Sequence, residues 1–351
     1  MKKELIIRSN SSAVDFALLK DGKLVELSKE VEDNKFSVGD IFFAKIRKLI
    51  PGLNASFVSV GHKKDGFLHY HDLGPKLPSL LKFIRQITTG KHKDYLLKRF
   101  KFETDISKEG NINDVIKSQD TVLVQVVKEP ISTKGPRVSS ELSLAGRFMV
   151  LLPFSDRVSI SQKIEENSEK NRLKRLVQSI RPKGFGIIIR TVAQGQKVAE
   201  LDSDLQQLIA RWKNLCNKLQ RIDKYPSKVL SEINRSSSIL RDVFDNSFTG
   251  IHIDNDQELF KEVKDYIKSI APKKSEIVKS YNEITPIFEK FGIERQIKTA
   301  FGKTVSMQKG AYLVIEHTEA LHVIDVNSGN RSNKSKNQEE TALEVNLLAA
   351  S

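Results

Sequence analysis

The stretch from Gly310 to Gly329 restricts the fold of this chain most strongly. It contains two apolar, β-branched-rich runs, GAYLVIE and ALHVIDVNSG, separated by the polar residues 317–319. Two such runs around a short polar turn predict a β-hairpin. Side chains alternate between the two faces of a strand. One face of the second strand then carries Leu321, Val323, Asp325 and Asn327, and the other face carries His322, Ile324 and Val326. An acid and an amide therefore end an apolar row together.

Asp325 and Asn327 fit two interpretations. A hard cation such as Mg²⁺ takes oxygen ligands and is usually held by one or two carboxylates together with substrate phosphate and water. Asp325 is a candidate for such a ligand, and the polar, basic loop at residues 328–336 leaves the strand end open to an anion. The second interpretation is that both side chains only shape a turn by bonding to the backbone. The hairpin alone leaves both interpretations open.

Composition indicates the class of partner and the compartment. The chain has 351 residues, enough for roughly two to four domains, and 58 Lys and Arg against 44 Asp and Glu give a net charge of +14. This charge favours an extended anion such as nucleic acid over an anionic membrane surface. We expect a soluble, cytoplasmic protein, since no signal-peptide core or run of ~18 apolar residues is present. The single cysteine, Cys216, excludes an internal disulfide and a cysteine-based zinc cluster within this chain.

The first half of the chain is rich in predicted strands. Residues 4–28 predict a small sheet with a hairpin at Asp21-Gly22, which must join a later segment to be stable. Closely spaced short strands then follow at 41–46, 55–60, 66–68 and 121–127, as in a small five-stranded barrel.

Phe57 and Phe67 lie on two of these strands. On a barrel of the oligonucleotide-binding (OB) type, exposed aromatic rings among basic residues stack on bases. The basic residues expected around them are Lys45, Arg47, Lys48, Lys63 and Lys64. The alternative is that both rings are core side chains.

An insert at Leu77 to Phe102 separates two of the barrel strands. Basic residues are interleaved with apolar ones in this insert. The spacing predicts two helical pieces, with a break at residues 88–90. Its basic residues form either a solvated helical face or an added RNA-contact surface.

Residues 141–235 predict a separate α/β unit. Strands are expected at 148–152 and 186–190, and helices at 171–180 and 203–222, with Trp212 and Cys216 in the core. Arg190 and Thr191 end a strand, and a guanidinium with a hydroxyl and turn amides can hold a terminal phosphate. Beyond Pro226 we expect helices at 229–244 and 256–269 around a strand at 250–253, which suits the missing partner of residues 1–36.

In this order, these elements resemble the catalytic region of the bacterial ribonuclease E/G family of endoribonucleases, nearly from Lys2 to Ser351. The diagnostic residues are GAYLVIEHTEAL at 310–321, IDVNSG at 324–329, ETA at 340–342 and NLLAA at 346–350. The resemblance implies a multidomain α/β and β fold. A split ribonuclease H-like domain would comprise residues 1–36 and 236–300, and an OB-fold RNA-binding barrel would comprise 37–140, with the basic insert at 77–102. A 5′-phosphate sensor domain would follow at 141–235, and the start of a deoxyribonuclease I-like domain at 301–351.

The resemblance also assigns roles to residues. Asp325 matches the family's Mg²⁺-binding aspartate, and Asn327 matches the asparagine that orients the attacking water or the scissile phosphate. Barrel residues that grip RNA correspond to Phe57, Phe67 and Lys134. The pocket for a 5′-phosphate corresponds to Gly146, Val150, Arg190 and Thr191.

This sequence departs from the family pattern at three places. The family's second metal-binding aspartate follows the helix that begins near Glu339, and the chain stops within that helix. The zinc-link cysteines of the family also lie beyond Ser351, so zinc is not expected here. Finally, Gln162-Lys163 stand where some relatives have paired arginines, and the shorter family members have no counterpart of the insert at 77–102.

The implied function is Mg²⁺-dependent cleavage of single-stranded RNA, preferably with a 5′-monophosphate, in RNA processing and decay. We expect this chain alone to bind RNA but to cleave it poorly. The full-length protein is expected to be able to form a homo-oligomer, and no membrane span is expected. The rival interpretation is a non-catalytic OB-fold RNA-binding protein, which has no need of an acid such as Asp325 aimed at phosphate.

Overall fold

The structure is a computed structural model of the chain, and it describes residues 2–10, 13–31, 36–91, 94–222, 224–231, 235–245, 247–329 and 337–350. It forms two compact units, one made of Met1–Glu32 with Asn246–Ser351 and the other of Asp33–Asp245. Both α-helices and β-sheets are present, so the fold is mixed α/β. In the described ranges, no helix is both long enough and apolar enough to cross a membrane.

The first unit begins with three antiparallel strands, β1 (Lys3–Asn10), β2 (Ala13–Lys20) and β3 (Lys23–Val31). The turn between β2 and β3 is the predicted Asp21-Gly22, and both residues have positive φ, 49° and 78°. This backbone conformation matches the right-handed twist of the flanking strands. The hairpin prediction is confirmed.

The second unit starts with a closed barrel consistent with an OB-like fold. Its five strands are β4 (Ile41–Ile50), β5 (Ala55–Ser59), β6 (Gly66–His69), β7 (Thr121–Lys128) and β8 (Arg137–Ser139). They pair in the order β4-β5-β6-β8-β7, and β7 pairs back to β4, which closes the barrel. Its interior is apolar and includes Ile46, Val58, Leu68, Val122 and Val138.

The insert between β6 and β7 contains α1 (Leu77–Thr88) and a short α2 (Ile112–Val115). Helix α1 confirms the first predicted helical piece, and it buries one apolar face that includes Leu80, Phe83, Ile84 and Ile87. The second predicted helical piece is wrong: residues 94–102 form no helix. Leu97 and Phe100 are buried there from an irregular backbone, whose Tyr95 carbonyl accepts a hydrogen bond from the Trp212 indole at 2.8 Å.

A four-stranded sheet follows in the same unit. It contains β9 (Leu144–Ala145), β10 (Met149–Pro153), β11 (Val158–Ile160) and β12 (Phe185–Ile189), in the order β11-β12-β10-β9. The long helices α3 (Asn167–Ile180) and α4 (Val198–Leu219) accompany it. Trp212 and Cys216 are buried on α4 as predicted. One continuous core contains side chains of the barrel strands, of α1 and of this sheet.

The end of the second unit differs from the sequence prediction. A helix was expected from Val229, but Ser227–Leu230 form strand β13, which pairs antiparallel with β4. Helix α5 begins only at Arg235 and ends at Val243. Val229 and Leu230 are buried against the shared core, so the free edge of β4 determines the local structure here.

The first unit is completed by later segments of the chain. Strands β14 (Phe248–Asp254) and β15 (Val278–Tyr281) extend the N-terminal sheet, because β14 pairs parallel with β1 and β15 pairs parallel with β14. The expectation that the N-terminal strands join a later segment is thus confirmed. Three helices follow or connect these strands: α6 (Gln257–Ile270), α7 (Ile287–Lys290) and α8 (Ile293–Ala300).

The predicted hairpin near the end of the chain is also present. Strand β16 (Thr304–Ser306) pairs with β17 (Tyr312–His317), and β17 pairs with β18 (His322–Asn327). Helix α9 (Gln338–Ala350) comes last. Residues 330–336 of the predicted basic loop lie outside the described residues.

Candidate functional site

A cavity of about 600 Å³ lies beside the β5–β6 hairpin of the barrel. Phe57 and Phe67 are directly opposite each other on these strands, and their ring centroids are 6.0 Å apart in an edge-to-face arrangement. Both rings are half-buried and line the cavity, so they are not core side chains. The lining consists of Phe57, Lys64, Asp65, Phe67, Lys128, Glu129, Ile131, Thr133, Lys134, Gly135 and Arg137. The structure therefore brings together the three residues predicted to grip RNA.

Basic residues outnumber acidic ones in this lining. Lys64, Lys128 and Lys134 are exposed, while Arg137 binds Asp72 at 2.9 Å, an ion pair whose hydrogen bond raises the arginine pKa. Of the five basic residues expected around the rings, only Lys64 lines the cavity. The sequence prediction missed Lys128 and Arg137, which come from later strands of the barrel. The cavity thus combines aromatic faces with three solvated ammonium groups.

A tight turn brings Lys134 to the cavity. Ile131 and Lys134 exchange backbone hydrogen bonds of 3.2 and 2.9 Å across this turn. Gly135 then lies so close to the backbone carbonyl of Asp65 that a β-carbon on it would collide with that oxygen. A glycine is therefore required where this turn passes the loop that leads into β6.

Of the predicted 5′-phosphate residues, Arg190 contacts Gly146 at one end of the β9–β10–β12 sheet. Arg190 donates from Nη1 to the carbonyl of Gly146 at 2.9 Å and from Nη2 to Oδ1 of Asp242 at 2.7 Å. The Thr191 hydroxyl lies 2.8 Å from that of Ser161. Val150 is half-buried in β10, where it pairs with Ile188 and Ala145. These groups supply a guanidinium and a hydroxyl at the surface.

A buried carboxylate fixes the turn that carries Gly146. Asp204 of α4 accepts hydrogen bonds from the backbone N–H groups of Arg147, Phe148 and Met149 at 3.0, 2.9 and 3.1 Å. Burial raises the pKa of Asp204, and these hydrogen bonds oppose that shift. A β-carbon at Gly146 would lie 2.7 Å from the Asp204 carboxylate, so the turn can pass it only with glycine. Asp204 consequently holds the backbone on which the Gly146 carbonyl depends.

Asp325 and Asn327 lie on the same face of β18. The Asn327 side-chain amide donates to Oδ2 of Asp325 at 2.8 Å, and the Asp325 side chain is exposed. Its other oxygen, Oδ1, has no hydrogen-bond partner among the described residues. A group of three or more His, Cys, Asp or Glu side chains able to hold a metal ion does not occur in the described part of the chain. The site thus offers one carboxylate and one amide, which suits a weakly held hard cation completed by phosphate and water.

Three residues around the Arg190 site were not predicted: Ser161, Asp204 and Asp242. Asp204 did carry a signal, because it is an acid within the apolar stripe of α4, between Leu201 and Leu208. Ser161 and Asp242 have no such signal in the sequence around them. They reach Thr191 and Arg190 only through the tertiary fold.

Comparison with known proteins identifies relatives of the whole chain. The model of the Ribonuclease E/G family matches residues 143–351. Ribonuclease G of Haemophilus influenzae is 32% identical over 348 residues, covering 99% of this chain and 66% of that protein. Ribonuclease E of a Nostoc species is 31% identical, covering 100% of this chain and 47% of that protein. Ribonuclease G of Escherichia coli K12 is 29% identical, covering 94% and 63%. The chain thus spans about half to two thirds of the length of these relatives, and it belongs to the ribonuclease E/G family.

Proposed function

We propose that this chain is the RNA-binding and catalytic part of an endoribonuclease that acts on single-stranded RNA in RNA processing and decay. The observation that carries the proposal is the barrel cavity, where Phe57 and Phe67 offer half-buried ring faces beside three exposed lysines. The names of the relatives, ribonuclease G and ribonuclease E, support the same activity.

The cavity chemistry favours single-stranded RNA. Aromatic faces stack on bases that are free of a partner strand, and ammonium groups attract the phosphates between those bases. The bases of a duplex are already stacked on each other and cannot reach Phe57 and Phe67. Stacking of this kind is tolerant of sequence, so we propose that the barrel holds the strand without reading it closely.

Asp325 and Asn327 are the proposed catalytic residues. Asp325 would hold Mg²⁺, which supplies positive charge to stabilise the leaving 3′-oxygen. One amide N–H of Asn327 donates to Asp325. The second N–H can donate to a phosphate oxygen, and the side-chain carbonyl oxygen can accept from the attacking water. Water attack forms a new bond to phosphorus while the bond to the 3′-oxygen breaks. The products are a 5′-phosphate and a 3′-hydroxyl.

Finer features of the family extend the proposal. We assign a 5′-monophosphate pocket to Gly146, Val150, Arg190 and Thr191, supported by the guanidinium and hydroxyl at the sheet end. The first unit is proposed to combine a ribonuclease H-like sheet with the start of a deoxyribonuclease I-like domain. Assembly into a homo-oligomer is proposed for the full-length protein only.

A non-catalytic RNA-binding protein is the second candidate function. It is favoured by the single carboxylate at Asp325, since the described residues contain no cluster of three metal-ligating side chains. The two candidates share the barrel and differ only in whether Asp325 acts on phosphate.

Replacement of Asp325 by Asn distinguishes the two candidates. We expect the chain to cleave a labelled single-stranded RNA slowly with Mg²⁺, because one carboxylate binds Mg²⁺ weakly, and Asp325→Asn to abolish cleavage while RNA binding stays unchanged. Asp265→Asn, which changes an exposed carboxylate on α6, serves as the charge-matched control and should cleave like the unaltered chain. Equal cleavage by Asp325→Asn, or no Mg²⁺-dependent cleavage by the unaltered chain, would leave the RNA-binding candidate.

A further inference from the structure

We propose that Asp242 is a positioning residue for the 5′-phosphate pocket. With the carbonyl of Gly146, it holds the guanidinium of Arg190 so that the remaining N–H groups of Arg190 are ready for a terminal phosphate. The inference rests on the proposed 5′-monophosphate pocket and adds to it a residue from α5.

The hydrogen bonds of Arg190 fix the guanidinium at two nitrogens. Nη1 donates to Gly146 at 2.9 Å and Nη2 donates to Asp242 at 2.7 Å. A guanidinium has five N–H donors in a planar fork, so three remain, and none of them has a partner within the described ranges. The Arg190 side chain is 24% exposed, which gives part of it access to solvent. An arginine held in this way keeps donors for an incoming anion.

Asp242 is itself held from a second direction. Arg241 donates from Nε to Oδ1 of Asp242 at 3.3 Å, and the Arg241 side chain is buried. Nη1 of Arg241 donates to the Ala145 carbonyl at 3.2 Å, and Nη2 donates to the Ser238 hydroxyl at 2.9 Å. Helix α5 is thereby tied to Ala145, the residue next to Gly146. Both anchors of Arg190 consequently belong to one connected framework.

The charges around Asp242 indicate that it positions Arg190 and does not repel the phosphate. The single negative charge of Asp242 lies against two guanidinium groups, those of Arg190 and Arg241, so this trio keeps a positive charge. Arg211 also donates to the Ala145 carbonyl at 3.0 Å, so a second arginine holds this turn. A terminal monophosphate carries about −1.5 to −2 charges at neutral pH. Fixing the guanidinium before binding reduces the entropy that the complex must lose.

The test measures preference for the 5′ end of RNA. Two oligonucleotides with the same sequence, one with a 5′-monophosphate and one with a 5′-hydroxyl, are titrated against the unaltered chain, Asp242→Ala and Asp242→Asn. We expect the unaltered chain to prefer the monophosphate. Asp242→Ala should weaken monophosphate binding about five- to tenfold and leave hydroxyl binding within about twofold, as for one charge-assisted hydrogen bond. Asp242→Asn should lose less, because its amide oxygen accepts the same hydrogen bond.

A double-mutant cycle separates positioning from a structural role. If Asp242 acts through Arg190, Asp242→Ala should have no further effect on monophosphate binding in the Arg190→Ala background. Asp156→Ala is the matched control, because Asp156 is an exposed carboxylate that pairs with Arg181 at 3.4 Å in the same unit. If Asp242→Ala does not fold, as judged by its melting curve, the cycle with Asp242→Asn makes the same prediction with a smaller effect.

The possible results are distinct. Tighter monophosphate binding by Asp242→Ala would mean that Asp242 competes with phosphate, which overturns the inference. An unchanged preference, or an equal loss in Asp156→Ala, overturns it as well. A lack of 5′-end preference in the unaltered chain would instead contradict the proposed pocket itself.

Discussion

Asp204 illustrates how a single buried carboxylate can stabilise a turn beside the proposed phosphate pocket. Its carboxylate accepts three backbone N–H bonds from the Arg147–Met149 segment, next to the Gly146 carbonyl that binds Arg190. Buried N–H groups without an acceptor are costly, so this carboxylate and this backbone depend on each other.

We expect Asp204→Ala to lower the free energy of unfolding by about 3 kcal/mol or more, because three N–H groups lose a charged acceptor and a cavity is left. Gln207→Ala, an exposed change on the same helix, should alter it by less than about 0.5 kcal/mol. Denaturant titration followed by Trp212 fluorescence measures both, since Trp212 is the only tryptophan and is buried on α4. Equal stability of the two variants would contradict this account of the turn.

The predictability of the site residues depended on whether their signal is local. Phe57 and Phe67 are aromatic residues on short strands, and the expectation that they lie together could be made from the strand pattern. Lys128 and Asp242 lie far along the chain from Lys64 and Arg190, respectively. Nothing in their immediate sequence indicates these neighbours. Roles for Asp325 and Arg190 remain predictions, since only geometry and charge support them.

At the scale of elements, the insert at 77–102 shows why one of its two predicted helices is absent. Helix α1 has a complete apolar face, and it packs into a large core. Residues 94–102 have similar composition, but the Leu96 N–H bonds to the Asp94 side chain at 2.9 Å and the Tyr95 carbonyl bonds to Trp212. These bonds use backbone groups that a helix needs for itself. Tertiary contacts therefore decide the structure there.

The insert has a buried apolar face and basic residues on its outer side. Lys82 pairs with Glu103 at 2.5 Å and also bonds to the Lys101 carbonyl. Phe83 is the centre of the buried side, stacked on Trp212 with centroids 5.7 Å apart and edge-on to Phe100 and Phe154. The insert thus contributes directly to the core of the second unit.

Phe83→Ala should destabilise this unit by about 3–5 kcal/mol, since it leaves a cavity among aromatic rings. The emission maximum of Trp212 in the folded state should shift as well, because its stacked neighbour is lost. Phe301→Ala, which removes a ring that is 81% exposed in the other unit, is the control and should change neither quantity. Normal stability of Phe83→Ala would mean that the insert packs independently of the core.

For the whole molecule, the order of strands along the chain did not by itself give their order in space. The pattern of strands and helices did predict that residues 1–36 join the strand expected at 250–253, and the parallel pairing of β1 with β14 confirms this. The domain boundaries implied by the resemblance stay predictions. Segment 227–230 was misjudged because its strand forms only against the edge of β4, more than 170 residues earlier in the chain.

The central claim is that the barrel cavity binds single-stranded RNA by stacking and charge. The most direct measurement is a binding titration of one RNA sequence, as a single strand and as a duplex, against the unaltered chain, Phe57→Ala and Phe67→Ala. Phe301→Ala controls for loss of an exposed ring. All proteins are compared at the same salt concentration, because phosphate contacts depend on it.

The account predicts that the unaltered chain binds the single strand at least about tenfold more tightly than the duplex, and that each barrel variant loses about 1–3 kcal/mol of single-strand binding while keeping its melting temperature. Phe301→Ala should bind like the unaltered chain. Equal affinity for strand and duplex, or folded barrel variants that bind the single strand as tightly as the unaltered chain, would contradict the claim.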